Sequence, residues 1–188
     1  MVGDHPHPGG REIGEDDLRT FFGGKAKYYL REKRVIEASG SRISWNWPAF
    51  LFTCFWMIYR KMWPAGAIVF VLTFVFHVSI IFSWLNVIVM LVAGMYANAM
   101  YVAHAKKKVI EIALSGESAA ATEEMLIEAG RPSWTAAIVA AVFYIVAAVA
   151  AVLFLEVLLG TMLSGWFLWE LLCTPEMQRM LDVDVCAR

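Results

Sequence analysis

The chain has 188 residues, 60% of them hydrophobic and 14% aromatic, with a formal net charge of −1. An ordinary soluble domain is nearer half apolar, so one compact membrane domain is expected, and the near-neutral charge argues against a nucleic-acid partner. Cys54, Cys173 and Cys186 make no zinc-ligand or CxxC spacing.

Residues 1–17 combine Pro, Gly, His and five acids with too little apolar content to fold alone, and are expected to form a flexible cytoplasmic tail. His5 and His7, separated by a proline, belong to that solvated tail rather than to a metal site. The opening ten residues lack the apolar run of a cleavable signal peptide, so insertion is expected to rest on internal spans. Residues 18–43 then form a basic amphipathic segment. Tyr28, Tyr29, Val35 and Ile36 mark one helical stripe, flanked by Lys25, Lys27, Arg31, Lys33 and Arg34. Such a helix suits an anionic headgroup layer, or equally a partner subunit.

Residues 44–114 hold an aromatic short helix followed by a transmembrane hairpin. Asn46 is a candidate N-cap, Pro48 fits the first turn, and Pro64 disfavours helix at Trp63, giving a helix over about 47–62. That length, about 22 Å, falls short of a hydrocarbon core of roughly 30 Å. An interfacial or re-entrant position is therefore expected. Trp45, Phe52, Trp56, Tyr59 and Trp63 would line one face as membrane anchors or a docking platform, with Trp47 beside them and Arg60 and Lys61 reaching for phosphates. Spans follow over about 64–82 and 85–103, joined by an uncharged turn and closed by Lys106, Lys107 and Lys108.

Residues 115–133 read as a cytoplasmic linker with a small acidic helix, and Ser133 as an N-cap for the next element. The third span covers about 134–159, with an external interfacial tail after Gly160. Ala136/Ala140 and Ala147/Ala151 have the small-xxx-small spacing that lets helices approach closely. Lys and Arg partition as ten before the first span, none in the hairpin turn, four in the linker and two after the third span. The positive-inside rule then puts the N-terminus in the cytoplasm and the C-terminus outside. Outside, Cys173 and Cys186 are expected to remain unpaired.

Polar groups within the spans are His77, Asn98 and Glu156, with His104 just beyond. Gly94, Asn98 and Tyr101 share a face of the second span and are assigned to helix packing by hydrogen bonds. No compact histidine cluster is expected, so no cofactor is assigned; His77 would be an axial pigment or haem ligand only across a subunit boundary. Ser-His-Asp, Gly-rich phosphate-loop and HExxH signatures do not occur.

Three blocks resemble the domain-of-unknown-function family 2628 of bacterial membrane proteins: Phe22-Gly23-Gly24-Lys25 with Tyr28-Tyr29-Leu30; Trp45-Asn46-Trp47-Pro48-Ala49-Phe50 through Trp56 and Tyr59-Arg60-Lys61-Met62; and Gly94, Ala97-Asn98, Tyr101, His104 and Lys107-Lys108. They cover about residues 18–112. The chain departs from the family's pattern at Pro48, where a small residue is common, and at Thr53-Cys54, where Gly-Pro is frequent, which weighs against a break in the short helix. The resemblance implies a bacterial inner-membrane protein and no settled activity.

The expectation is thus an all-α integral membrane protein with three transmembrane helices. It is non-enzymatic, an accessory or scaffold subunit whose partners are lipids and either other membrane subunits or its own copies. The alternatives are a small oligomeric transporter or channel lined by Asn98, His77 and Glu156, and an enzyme acting on lipid headgroups through His104 and nearby lysines.

Overall fold

The computed structural model describes residues 14–79 and 81–172, with side chains to residue 166. These form α1 (Glu15–Phe22), a 3-10 turn (Gly23–Lys25), α2 (Ala26–Ser39), α3 (Trp47–Tyr59), α4 (Trp63–Val78), α5 (Leu85–Ala113), α6 (Ala119–Gly130) and α7 (Trp134–Leu172). All the regular structure among the described residues is helical. The chain divides into two compact units, Met1–Tyr144 and Ile145–Arg188. Within the described residues the second unit is the continuation of α7.

Local signals set most boundaries. Asn46 Oδ1 accepts from the Ala49 amide at 3.0 Å, Ser118 Oγ from Ala121 at 3.3 Å and Ser133 Oγ from Ala136 at 3.3 Å, each capping the helix that follows. Gly116, at φ 75, turns the chain out of α5 into α6.

Two helices, α5 and α7, are long and apolar enough to cross a membrane, whereas α4 has 16 residues and belongs with the shorter apolar helices. At about 1.5 Å per residue α4 is about 24 Å long. The helix expected over 64–82 stops at Val78, short of that range. By contrast α7 does not end at Gly160: it runs for 39 residues, from Trp134 to Leu172, so 161–172 is helical and continuous with the element before it. One interior glycine costs a helix only about 1 kcal/mol, too little to stop so apolar a run.

In the first unit, α1, α2, α3 and α6 pack around the second half of α5. Ala93, Gly94, Ala97, Asn98, Tyr101, Val102, Ala105, Val109, Ile112 and Ala113 form its buried face. Phe21, Phe22, Tyr29, Leu30, Trp56, Met57 and Leu126 complete the core. The beginning of α5 is different, since Val87, Ile88, Leu91 and Val92 are exposed, as are Ile68, Val71 and Val75 on α4.

Three expectations change here. Residues 15–17, expected in a flexible tail, instead begin α1, where Asp17 is buried and its Oδ2 accepts from the Gly14 amide at 3.2 Å. On α2 the buried residues are Ala26, Tyr29, Leu30 and Glu32, while Val35 is 51% exposed, so the stripe through Val35 is not its packing face. The buried face of the helix packs against α1 and α5 of its own chain. Finally, α3 is two helical pieces broken at Thr53 (φ 44, ψ −109). Left-handed φ is costly for a β-branched residue, and the break falls where the family pattern carries glycine.

Candidate functional site

Two clusters in the first unit gather several of the residues singled out above. The first surrounds Asn98, which is fully buried on α5. Its Oδ1 accepts from Asn46 Nδ2 at 2.7 Å; its Nδ2 donates to the Tyr28 hydroxyl at 2.9 Å and Ser44 Oγ at 3.0 Å, with the Trp45 carbonyl at 3.5 Å. Ser44 in turn donates to Glu32, whose other oxygen accepts from Arg31 at 3.0 Å. Backbone bonds run alongside, from the Ser44 amide to the Met95 carbonyl (2.9 Å) and from the Asn46 amide to the Gly94 carbonyl (2.8 Å).

Gly94 makes that approach feasible. A Cβ there would lie 2.9 Å from Phe50 Cβ and 3.2 Å from the Trp45 ring. The chain before α3 is thus laid directly on α5, and the polar groups buried by doing so satisfy one another.

The second cluster surrounds Arg60, at the C-terminal end of α3. Its guanidinium lies 5.2 Å from the Tyr29 ring centre, 5.4 Å from Tyr59 and 5.0 Å from Tyr101, and donates to the Tyr29 hydroxyl at 3.0 Å. Tyr101 is 1% exposed and meets Tyr29 at 4.7 Å, Phe22 at 5.7 Å and Trp56 at 5.9 Å. Burial pushes the Tyr29 hydroxyl up to about 12, although Arg60 pulls the other way.

The aromatic residues expected on one face are divided by the break at Thr53. Trp56 is buried against Tyr101, whereas Trp45, Trp47, Phe52 and Trp63 are exposed. Trp45, Trp47 and Phe50 form a ring cluster with centres 5.2 to 6.0 Å apart. Tyr59 packs on Trp134 at 4.7 Å. Lys61 donates to the Glu128 carbonyl at 2.6 Å and to its carboxylate at 3.1 Å. Arg60 and Lys61 thus both contact side chains of their own unit.

His77 is exposed, and its ring lies 5.9 Å from that of Tyr144. His104 stacks on Tyr101 at 6.5 Å. Ala136 and Ala140 are half-buried on α7; Ala147, Ala151 and Glu156 fall in the second unit. Cys54 is free and buried, while Cys173 and Cys186 lie outside the described residues, as do His5 and His7. No group of three potential metal-ligating side chains occurs among the described residues.

The residues that spacing did not single out are Glu32, Ser44 and Gly130. Each acts through a partner distant in sequence. At Gly130 a Cβ would sit 1.7 Å from the Phe21 carbonyl oxygen, so α1 crosses α6 at a point only glycine permits. The acid and hydroxyl of Glu32 and Ser44 look like ordinary surface groups until the chain folds.

Fold and clusters together define a helical protein with apolar helices of membrane-crossing length and a tyrosine-lined arginine at the end of α3. Residues 23–110 match DUF2628, the family described as a protein of unknown function, and that segment contains nearly all of both clusters. The three blocks of the sequence resemblance meet in them: Tyr29 from the first, Trp56 and Arg60 from the second, Asn98 and Tyr101 from the third. No curated protein and no solved structure matches the chain.

Proposed function

We propose that the protein is a non-enzymatic subunit of the bacterial inner membrane that docks to a larger membrane complex. It crosses three times, through α4, the first part of α5 and α7, with its N-terminus in the cytoplasm and its C-terminus in the periplasm. The lysine and arginine distribution supports that orientation. One observation carries the docking reading. The polar side chains of the Asn98 cluster are consumed in holding the chain together, whereas Val71, Val75, Val87, Ile138 and Phe143 are large, apolar and uncovered within their own unit. Such a surface meets lipid or another helix.

The exposed Trp45–Trp47–Phe50 cluster supports a position at the membrane interface, where indoles find both apolar and polar surroundings. A channel lined by Asn98, His77 and Glu156 is less well supported, because Asn98 is enclosed and already bonded on both its amide atoms. Purification of the native protein in mild detergent tests the reading. Stoichiometric foreign membrane subunits are the expected result; a pure homo-oligomer that passes ions in vesicles would overturn it. For orientation, Cys186 should be labelled by an impermeant reagent in intact cells, and labelling only after lysis would reverse the assignment.

A further inference from the structure

Arg60 carries a charge with no counter-charge among the described residues. No carboxylate pairs with it there; it contacts three tyrosine rings and donates to one tyrosine hydroxyl, and its buried Nε has no hydrogen-bond partner. Other cations of the same unit are neutralised: Lys61 by Glu128 at 3.1 Å, Lys108 by Glu111 at 2.9 Å, Lys33 by Glu37 at 3.3 Å and Lys106 by the same Glu37. Aromatic faces attract a guanidinium but leave its charge in place. A partly desolvated, unpaired charge calls for an anion.

The surroundings of Arg60 are built to hold one. It lines a cavity of about 460 Å³ together with Thr20, Gly23, Gly24, Lys25 and Arg131, and no acidic residue contributes to the wall. Lys25 has no carboxylate partner among the described residues, and Arg131 meets Glu128 only at 3.7 Å, with both side chains largely exposed. At Gly23 and Gly24 a Cβ would find nothing within 4 Å, so the backbone there faces open space. Gly24 and Lys25 also border an adjoining groove of about 420 Å³ whose remaining lining, Lys27, Tyr28, Arg31 and Arg34, again lacks an acid.

We propose that the cavity between α1, the end of α3 and the link from α6 to α7 binds a phosphate-bearing anion. Arg60 is the fixed fork, held by its tyrosines in the planar geometry that suits phosphate oxygens. Lys25 and Arg131 close over the anion, and the Thr20 hydroxyl is a further donor. The adjoining cationic groove accommodates a second negative group on the same ligand. A phospholipid headgroup and a soluble phosphate compound share this chemistry. The proposal is independent of the docking reading, since the site is formed entirely by the chain's own residues.

The test uses the full chain in a neutral detergent, following the midpoint of thermal unfolding. The probes are inorganic phosphate against chloride at matched ionic strength, and short-chain phosphatidylglycerol against short-chain phosphatidylcholine. Phosphate or phosphatidylglycerol should raise the midpoint in a saturable way. A rise with phosphatidylglycerol alone identifies a lipid, and a rise with phosphate as well identifies the phosphate group as sufficient. Arg60→Gln should abolish the effect. Lys25→Gln, at an exposed position, should leave the unliganded midpoint unchanged and weaken the apparent affinity about tenfold, equivalent to 1.4 kcal/mol. Lys107→Gln, exposed on α5 outside the cavity, should change nothing. If neither probe stabilises the protein, if Lys25→Gln responds like the parent, or if Lys107→Gln weakens the effect as much as Lys25→Gln does, the site does not exist.

Discussion

Replacing Asn98 by leucine leaves Asn46 Nδ2, Ser44 and the Tyr28 hydroxyl without a buried partner they now share. A buried polar group stripped of its partner costs about 1–3 kcal/mol, so Asn98→Leu should lower stability by roughly 2–4 kcal/mol, read as the unfolding midpoint in detergent. An unchanged midpoint would remove the cluster from any account of how the fold is held. Thr53→Gly should act the other way. It removes a β-branched side chain from φ 44 at the loss of one weak bond to the Phe50 carbonyl at 3.3 Å, with an expected gain of about 1 kcal/mol. Tyr29 supplies a pH signature. Its folded-state value of about 12 exceeds the ordinary 10.0, so its contribution is complete below about pH 10 and disappears as pH rises toward 12. Tyr29→Phe should remove that alkaline loss, and an alkaline unfolding profile identical to the parent's would count against a buried, neutral Tyr29.

Among the helices, those with local signals were legible in the sequence. Asn46, Ser118 and Ser133 announced three starts because a cap acts on its own next turn. The break in α3 was hidden, since Thr53-Cys54 contains no residue that disfavours helix as Gly-Pro does. The packing face of α2 was hidden too, because Glu32 is buried by a serine twelve residues away, which no periodicity can reveal. Helix crossings are equally silent until two elements meet. Gly130→Ala would drive a methyl into the Phe21 carbonyl and should cost about 2–3 kcal/mol by forcing α1 from α6; equal stability would mean that crossing is not as close as the structure has it. Between α2 and α5, Glu37 joins Lys33 and Lys106. Burial pushes its carboxyl up, but the two lysines outweigh that and hold it below the usual range. Its contribution is therefore lost on acidification, and it is small at so exposed a site.

Over the first unit as a whole, composition pointed to a membrane protein and charge sorting to an orientation, while the division of labour along α5 became visible only on folding. Its second half has a protein core around it, and its first half shows its apolar side chains bare. Spin labels at Val75→Cys and Val87→Cys should accordingly be reached by oxygen and not by a polar nickel reagent in lipid discs, and a label at Glu124→Cys should show the reverse. Polar accessibility at all three would argue against the membrane position of α4 and α5. The Asn98 cluster carries a further consequence, which concerns time. Asn98 is 52, 54 and 70 residues from Asn46, Ser44 and Tyr28, and all three precede it. During synthesis those partners emerge first and wait, and the network closes only when the second half of α5 arrives, so the contacts that lay the start of α3 on α5 are among the late, long-separation events of folding.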